Sequence, residues 1–219
     1  MTATASDLPI QVTPEIAKML EHAARKEYPR NGFIVQAGET PTLLYFILTG
    51  SVTVLVDGED GQEFILSYLG PGEFFGELGL FDATQGRSAW VRARTKCEVA
   101  AVDYVKFRRL VAEMPALLMQ ITHQIARRLR YASENLGSLA FLDVTGRIAR
   151  VLLDLARGSE AVEHPDGMLV RVSREELGRL VSCSREMSSR VLRDLARQGL
   201  VTVDGKNIVI HGALGGSGK

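Results

Sequence analysis

The stretch GELGLFDATQGRSAW, Gly76 to Trp90, decides how the rest of the chain is read. It sets a glutamate between two glycines three residues apart, and an adjacent Arg87-Ser88 pair ten residues after that glutamate. Gly76 and Gly79 permit sharp backbone turns that expose consecutive N–H groups. With the start of a short helical turn, those groups make an anion nest. Arg87 adds a forked cation suited to phosphate oxygens, Ser88 a hydroxyl donor, and Glu77 an acceptor for a sugar hydroxyl. Phosphate and sugar bound together mean a nucleotide. Neither G-x-x-x-x-G-K-[ST] nor G-x-G-x-x-G is present in the stretch, so a P-loop or a Rossmann site is not supported. Taken alone, the same residues serve equally well as a plain turn between strands, and the surrounding architecture has to decide.

Around this stretch, from Gly32 to about Val102, short Val/Ile/Leu/Phe runs are punctuated by glycines. Val52, Val54 and Val56 alternate, and Asp57-Gly58 and Asp60-Gly61 offer the positive-φ positions of tight hairpins. The pattern predicts an all-β roll or barrel. Before it, Thr13-Pro14-Glu15 reads as an N-cap, a first-turn proline and an acidic first turn. Ile16, Met19, Leu20 and Ala23 then recur at helical spacing.

After Pro115 the period changes. Leu118, Ile121, Ile125, Leu129, Ala132, Leu136 and Leu139 step by 3, 4, 4, 3, 4 and 3, averaging 3.5 residues. This is the spacing of a coiled-coil seam, and predicts a helix that pairs with a second copy. The alternative is a helix laying one stripe on its own roll; Leu117 and Arg128 can serve a second face in that direction. Gly137-Ser138 predicts an interruption, and the helical pattern resumes near Asp143.

The second informative segment is SREELGRLVSCSREMSSRVLRDLARQG, Ser173 to Gly199. Ser173 and Glu176 form an S-x-x-E capping box, Leu177, Leu180 and Val181 an apolar face, and Ser182-Cys183 a tight turn. Ser184 caps a second helix whose buried face is Met187, Val191, Leu192 and Leu195. Two short helices joined so tightly predict a helix-turn-helix. Arg185, Glu186 and Arg190 fall off the buried face at its N-terminal end, where base edges are read in the major groove. Arg forks onto guanine and Glu accepts from cytosine N4. Ser184, Arg174 and Lys206 suit phosphates. An Arg/Glu-rich helix is more often simply solvated, but local charge favours a DNA binder. From Arg171 to Lys206 there are eight basic and five acidic residues, 8 − 5 = +3, in a 219-residue chain whose 26 basic and 26 acidic residues cancel.

The totals exclude several classes. Cys97 and Cys183 are too few for a disulfide framework, a four-Cys zinc site or an all-Cys iron–sulfur cluster. With no export signal or spanning run, a cytoplasmic protein without membrane contact is expected. His22, His123, His164 and His211 lack metal-ligand spacing, and no nucleophile–base pair or paired carboxylates flank the cassette, so neither a metal nor catalysis is expected. Cys97 reads as a strand residue, Cys183 as a small residue buried in the turn, His123 as a polar position on the long helix and Trp90 as core.

In GELGLF (76–81), RSAWVRA (87–93), LAFLDVTGRIA (139–149), HPDGM (164–168) and CSRE (183–186) the chain resembles the CRP/FNR family of bacterial transcription regulators, from about Arg30 to Gly212. The resemblance implies an α+β chain: an N-terminal cyclic-nucleotide-binding β-roll, a double-stranded β-helix with its N-terminal helix (1–113); a long dimerisation helix (114–138); a hinge (139–142); a C-terminal winged helix-turn-helix (143–212); and a flexible tail (213–219). It implies that Gly76, Glu77 and Leu78 line the ribose–phosphate side, that Arg87 pairs with the cyclic phosphate and that Ser88 hydrogen-bonds it. Arg128 and Ser133 resemble residues near the purine, Ser133 reaching from the opposite subunit. Arg185, Glu186 and Arg190 match base-reading positions, Arg174 and Lys206 phosphate contacts, and His164 lies in a loop resembling the polymerase-contacting surface. A homodimer that binds cyclic AMP, a palindromic double-stranded DNA operator and RNA polymerase is therefore expected. The chain departs from the family pattern at Ala132, where a Thr hydroxyl is expected to bond the purine amino group, and more mildly at Met187 and Glu163. Ala132 keeps cyclic GMP, cyclic di-GMP and ligand-independent DNA binding as alternatives, whereas Met187 and Glu163 bear on operator preference at its edges and on the polymerase contact.

Overall fold

The computed structural model describes residues 12–212 apart from 59, 60, 83 and 159, with the backbone alone described over 138–141. The N-terminal stretch 1–11, the tail 213–219, Asp60 of the second hairpin signal and the Leu139 side chain lie outside the described residues. Two compact units divide between Tyr131 and Ala132.

In the first unit, Thr13 caps helix α1 (Pro14–Glu21), its Oγ1 accepting from Ile16 N at 3.4 Å. Eight strands follow: β1 (Ala24–Tyr28), β2 (Phe33–Val35), β3 (Leu43–Thr49), β4 (Val52–Asp57), β5 (Glu63–Leu69), β6 (Phe74–Phe75), β7 (Trp90–Ala93) and β8 (Cys97–Asp103). The four-residue helix α2 (Leu78–Phe81) lies between β6 and β7, and α3 (Tyr104–Glu113) follows β8. The strands form two antiparallel sheets, β1-β8-β3-β6 and β2-β7-β4-β5.

β3 shows why the sequence demands this roll. Its run LLYFIL is apolar on both faces, as a strand covered on both sides must be. Leu44, Phe46 and Leu48 point into a core shared with α1, α3 and the long helix. Tyr45 and Ile47 point into a second core with Val35, Val52, Phe75 and Val91. Cys97 is one of the residues of that second core, and burial pushes its thiol up to about 11, which leaves it protonated near neutrality. Trp90, expected in the core, is instead half-buried. Its ring meets the exposed Phe33 edge-on at 5.3 Å and its indole N–H donates to Asp57 at 2.9 Å, because the β2-β7 pair faces solvent on that side.

Helix α4 runs from Ala116 to Phe141. Gly137 and Ser138 do not interrupt it, and the break falls after Phe141, where Asp143 caps α5 (Val144–Ala156) by accepting from Gly146 N at 2.8 Å. A glycine in a helix interior costs only about 1 kcal/mol relative to alanine, too little to end a long helix. The residues of the expected coiled-coil seam divide between two faces of this helix. Ile121 is fully buried against the roll beside Leu117, and Ile125 packs there too, whereas Leu129 (67%) and Leu136 (68%) are exposed.

The second unit contains α5, the hairpin β9 (Val162–His164) and β10 (Gly167–Arg171), α6 (Arg174–Val181), α7 (Arg185–Arg197) and the hairpin β11 (Val201–Asp204) and β12 (Asn207–His211), in one sheet ordered β11-β12-β10-β9. Ile148, Leu152 and Ala156, four residues apart along α5, close its core over Leu177, Val191, Leu195 and Ile208.

Candidate functional site

Between β6 and α2 the chain turns at Gly76, whose φ of +79° suits glycine. A Cβ there would stand 2.6 Å from Arg87 Nη1 and 3.2 Å from the Leu43 carbonyl oxygen. The bare backbone is what lets the guanidinium approach. Arg87 reaches this point because its own backbone is paired at both ends: its N–H donates to the Glu39 carbonyl at 2.9 Å, and its carbonyl accepts from Gly38 N at 2.8 Å. From there Nη1 donates to the Gly76 carbonyl at 3.0 Å and to the Tyr104 hydroxyl at 2.9 Å, and Nη2 donates to the Leu43 carbonyl at 2.7 Å.

Tyr104 is a site residue that the sequence pattern did not single out. Its hydroxyl donates to the same Gly76 carbonyl. Desolvation raises its pKa, although the nearby Arg87 cation pulls the other way, so the phenol stays a donor at neutral pH. Tyr45 is a second such residue. It stacks on Phe75 at 4.8 Å, and the Arg87 guanidinium lies 5.6 Å from the centre of its ring. An Asp at the end of a strand followed by Tyr, as in Asp103-Tyr104, marks a helix cap and carries no hint of a partner 28 residues earlier.

Glu77 follows Gly76 directly and is buried. Arg128 of α4 neutralises it, with Nη1 3.1 Å from Glu77 Oε1, while Nη2 donates to the Phe74 carbonyl. The buried Nε of Arg128 has no hydrogen-bond partner among the described residues. Thus Gly76, Glu77, Arg87 and Arg128 are brought together: a forked cation lies on one side of the turn, and a fixed carboxylate–guanidinium pair on the other. Such a set can hold an anion and accept from a hydroxyl at once. Leu78 and Ser88 are exposed, and Ser133, also exposed on α4, belongs to the second unit.

In the second unit both expected caps form. Ser173 Oγ accepts from Glu176 N at 3.1 Å while Glu176 Oε2 accepts from Ser173 N at 2.9 Å, and Ser184 Oγ accepts from Met187 N at 3.1 Å. Ser182 takes the left-handed conformation between the two helices, at φ 55° and ψ 54°. Arg185, Glu186 and Arg190 project from α7 into solvent, while Val191, Leu192 and Leu195 fill the core. Lys206 is exposed in the turn of the β11–β12 hairpin, and Arg174 Nη1 donates to the Gly205 carbonyl of the same turn at 3.0 Å, tying the first helix to the wing.

Gly178 is a further position missed in the sequence. A Cβ on it would stand 2.5 Å from the Cys183 carbonyl oxygen, so the helix-turn-helix closes only over a bare backbone. Gly178→Ala is expected to destabilise the unit by about 1–3 kcal/mol through overpacking, read as a lower melting temperature together with weaker DNA binding.

Among the described residues no helix is long and apolar enough to cross a membrane, and no group of three His, Cys, Asp or Glu side chains gathers as a metal site. The cyclic nucleotide-binding domain model matches residues 25–114, and the Crp-like helix-turn-helix domain model matches residues 146–213. The cAMP-activated global transcriptional regulator CRP of Salmonella typhimurium is 50% identical over 202 residues, covering 92% of this chain and 96% of its own length. The cAMP-activated global transcriptional regulator Vfr of Pseudomonas aeruginosa is 50% identical over 198 residues, covering 89% and 92%. The c-di-GMP responsive global regulator CLP of Xanthomonas campestris superposes with a TM-score of 0.84 at 40% identity, covering 91% of this chain and 99% of its own. With a roll, a long helix and a helix-turn-helix unit in this order and half of its residues shared with such regulators over nine-tenths of its length, the chain belongs to the CRP family of transcription regulators, carrying a cyclic nucleotide-binding domain and a Crp-like helix-turn-helix domain.

Proposed function

We propose that the protein is a cytoplasmic homodimeric transcription regulator, switched by cyclic AMP and not an enzyme, whose liganded form binds a palindromic operator and contacts RNA polymerase. The observation that carries the reading is the turn at Gly76, where the Arg87 fork and the Glu77–Arg128 pair meet consecutive residues of one backbone. Arg87 holds the cyclic phosphate with Ser88, Glu77 accepts from the ribose hydroxyl within the Gly76–Leu78 turn, and Arg128 and the partner's copy of Ser133 flank the purine. Two relatives at 50% identity are named as cAMP-activated, which favours that ligand.

The dimer forms through the α4 face that leaves Met119, Leu129 and Leu136 exposed, each at least 66% open to solvent in the single chain. Apolar side chains at this spacing and exposure suit a helix facing its own copy. Residues 1–113 act as the sensor and 143–212 as the DNA-reading unit; the dimer helix, expected to end at 138 with a hinge over 139–142, runs on to Phe141, so its flexing point falls after Phe141. On the operator Arg185, Glu186 and Arg190 read bases, and Arg174, Ser184 and Lys206 hold phosphates. His164, at the end of β9 in the turn before β10, lies on the polymerase-facing loop.

A second reading, a response to cyclic di-GMP, draws on the similarity to CLP and on Ala132, whose methyl offers the purine no hydrogen bond. Isothermal titration of the protein with cyclic AMP, cyclic GMP and cyclic di-GMP distinguishes the two. Cyclic AMP is expected to bind once per protomer and to be recovered intact. Losing one hydrogen bond at Ala132 lowers its affinity about tenfold relative to a threonine variant, Ala132→Thr. Binding of cyclic di-GMP alone would overturn the reading, and hydrolysis of cyclic AMP would overturn the non-enzymatic role.

A further inference from the structure

The edge of β6 is covered by the long helix instead of by a strand. β6 pairs with β3 on one side through Tyr45↔Phe75 and Phe46↔Phe74, and it ends the sheet order on the other. An edge strand presents bare N–H and C=O groups that have to be satisfied. Here side chains of α4 supply the partners. Gln124 Oε1 accepts from Phe74 N at 2.9 Å, and Gln124 Nε2 donates to the Gly72 carbonyl at 3.0 Å. In an extended chain the carbonyl of one residue and the N–H two residues later point the same way, so a single carboxamide can mimic the peptide of a neighbouring strand. One helical turn on, Arg128 takes the Phe74 carbonyl.

The segment held in this way is stiff. Gly70-Pro71-Gly72-Glu73 closes as a β-turn, with Gly72 at φ +86° and Glu73 N donating to the Gly70 carbonyl at 3.2 Å. Glu73 Oε2 accepts from Gly70 N at 2.9 Å, and Ile47 N donates to the Glu73 carbonyl at 3.0 Å. Gly76 and Glu77 follow immediately after the two residues of β6. A displacement of the Gly76 turn therefore moves a strand whose outer edge is bonded to α4, and it is passed on by hydrogen bonds instead of being absorbed by a loop.

We propose that Gln124 is the positioning residue that couples the nucleotide-binding turn to the long helix, acting through the β6 edge without touching the nucleotide. The proposal rests on the reading of the protein as a nucleotide-switched DNA binder. Coupling between two ligands is reciprocal, so it is measured by one factor. That factor is the ratio by which cyclic AMP tightens operator binding, and equally the ratio by which operator tightens cyclic AMP binding.

Gln124→Met keeps the apolar stem and volume but can neither donate nor accept a strand-type hydrogen bond. Gln124→Glu can still accept from Phe74 N and turns an oxygen toward the Gly72 carbonyl. Gln120→Met is the control, because Gln120 lies one turn earlier on the same helix and bonds Thr13 Oγ1 at 2.7 Å, away from β6. Coupling factors of about 5–150 are typical of allosteric proteins. In both Gln124 variants the factor is expected to fall at least fivefold, measured from either ligand, while cyclic AMP affinity without DNA changes less than threefold. In Gln120→Met the factor is expected to stay at the wild-type value. A melt of each variant separates loss of fold from loss of coupling, since a purely structural role would lower melting temperature and both affinities without changing their ratio. An unchanged factor in folded Gln124→Met, or an equal fall in Gln120→Met, overturns the proposal. A wild-type factor of one would instead refute the functional reading on which it rests.

Discussion

Arg87→Leu is expected to lower cyclic AMP affinity by roughly two to four orders of magnitude and to remove the nucleotide's effect on operator binding. In the proposed site the fork would supply two charge-assisted hydrogen bonds to the phosphate, of about 1.5–3 kcal/mol each, and about 1.4 kcal/mol is a factor of ten. Leucine also vacates the bonds to the carbonyls of Gly76 and Leu43, so the roll is expected to melt lower as well. Arg87→Lys separates the two effects. A lysine retains the charge but cannot reproduce the planar fork that reaches two acceptors, so binding is expected to be intermediate. Titration calorimetry checks the affinity, and non-specific DNA binding by the second unit is expected to survive in both variants. A folded Arg87→Leu protein with normal affinity would remove the phosphate assignment.

The second large effect belongs to base reading. Arg185→Ala is expected to weaken operator binding by about 1–3 kcal/mol and to relax discrimination at a single G·C position, because a bidentate Arg–guanine contact carries that much of the selectivity. Lys206→Ala provides the contrast: if Lys206 holds a phosphate as proposed, binding to all sequences is expected to fall alike and the salt slope to drop by about one. Affinities measured on the operator and on single-base variants at several salt concentrations check both. Exposure of Arg185, Glu186 and Arg190 on the solvent side of α7 is what makes such contacts sterically open.

Local chemistry made much of the fold legible in the sequence. Thr13, Ser173, Glu176 and Ser184 all cap as their spacing requires, because a cap is decided within three or four residues. The long helix was legible in kind but not in facing. Steps of three and four fit two adjacent stripes equally, and Ile121 belongs to the one buried on the roll while Leu129 and Leu136 belong to the exposed one. Only packing partners distant in sequence decide between them.

The site was half legible for the same reason. Gly76, Glu77 and Arg87 sit in one short stretch whose residue types carry the chemistry. Arg128 was assigned through resemblance, and it meets Glu77 across 51 residues. Tyr104, Tyr45 and Gln124 were missed because each acts through a partner brought close only by the roll. Gln124 meets Phe74 across 50 residues, and nothing in the pattern around it distinguishes it from a solvated glutamine.

Nucleotide-dependent DNA recognition is tested most directly by fluorescence anisotropy of a labelled palindromic operator titrated with the protein at one fixed salt concentration, without nucleotide and with saturating cyclic AMP. A dissociation constant at least tenfold lower with cyclic AMP, with non-specific DNA unaffected, is the expected result; operator binding equally tight with and without cyclic AMP would contradict it.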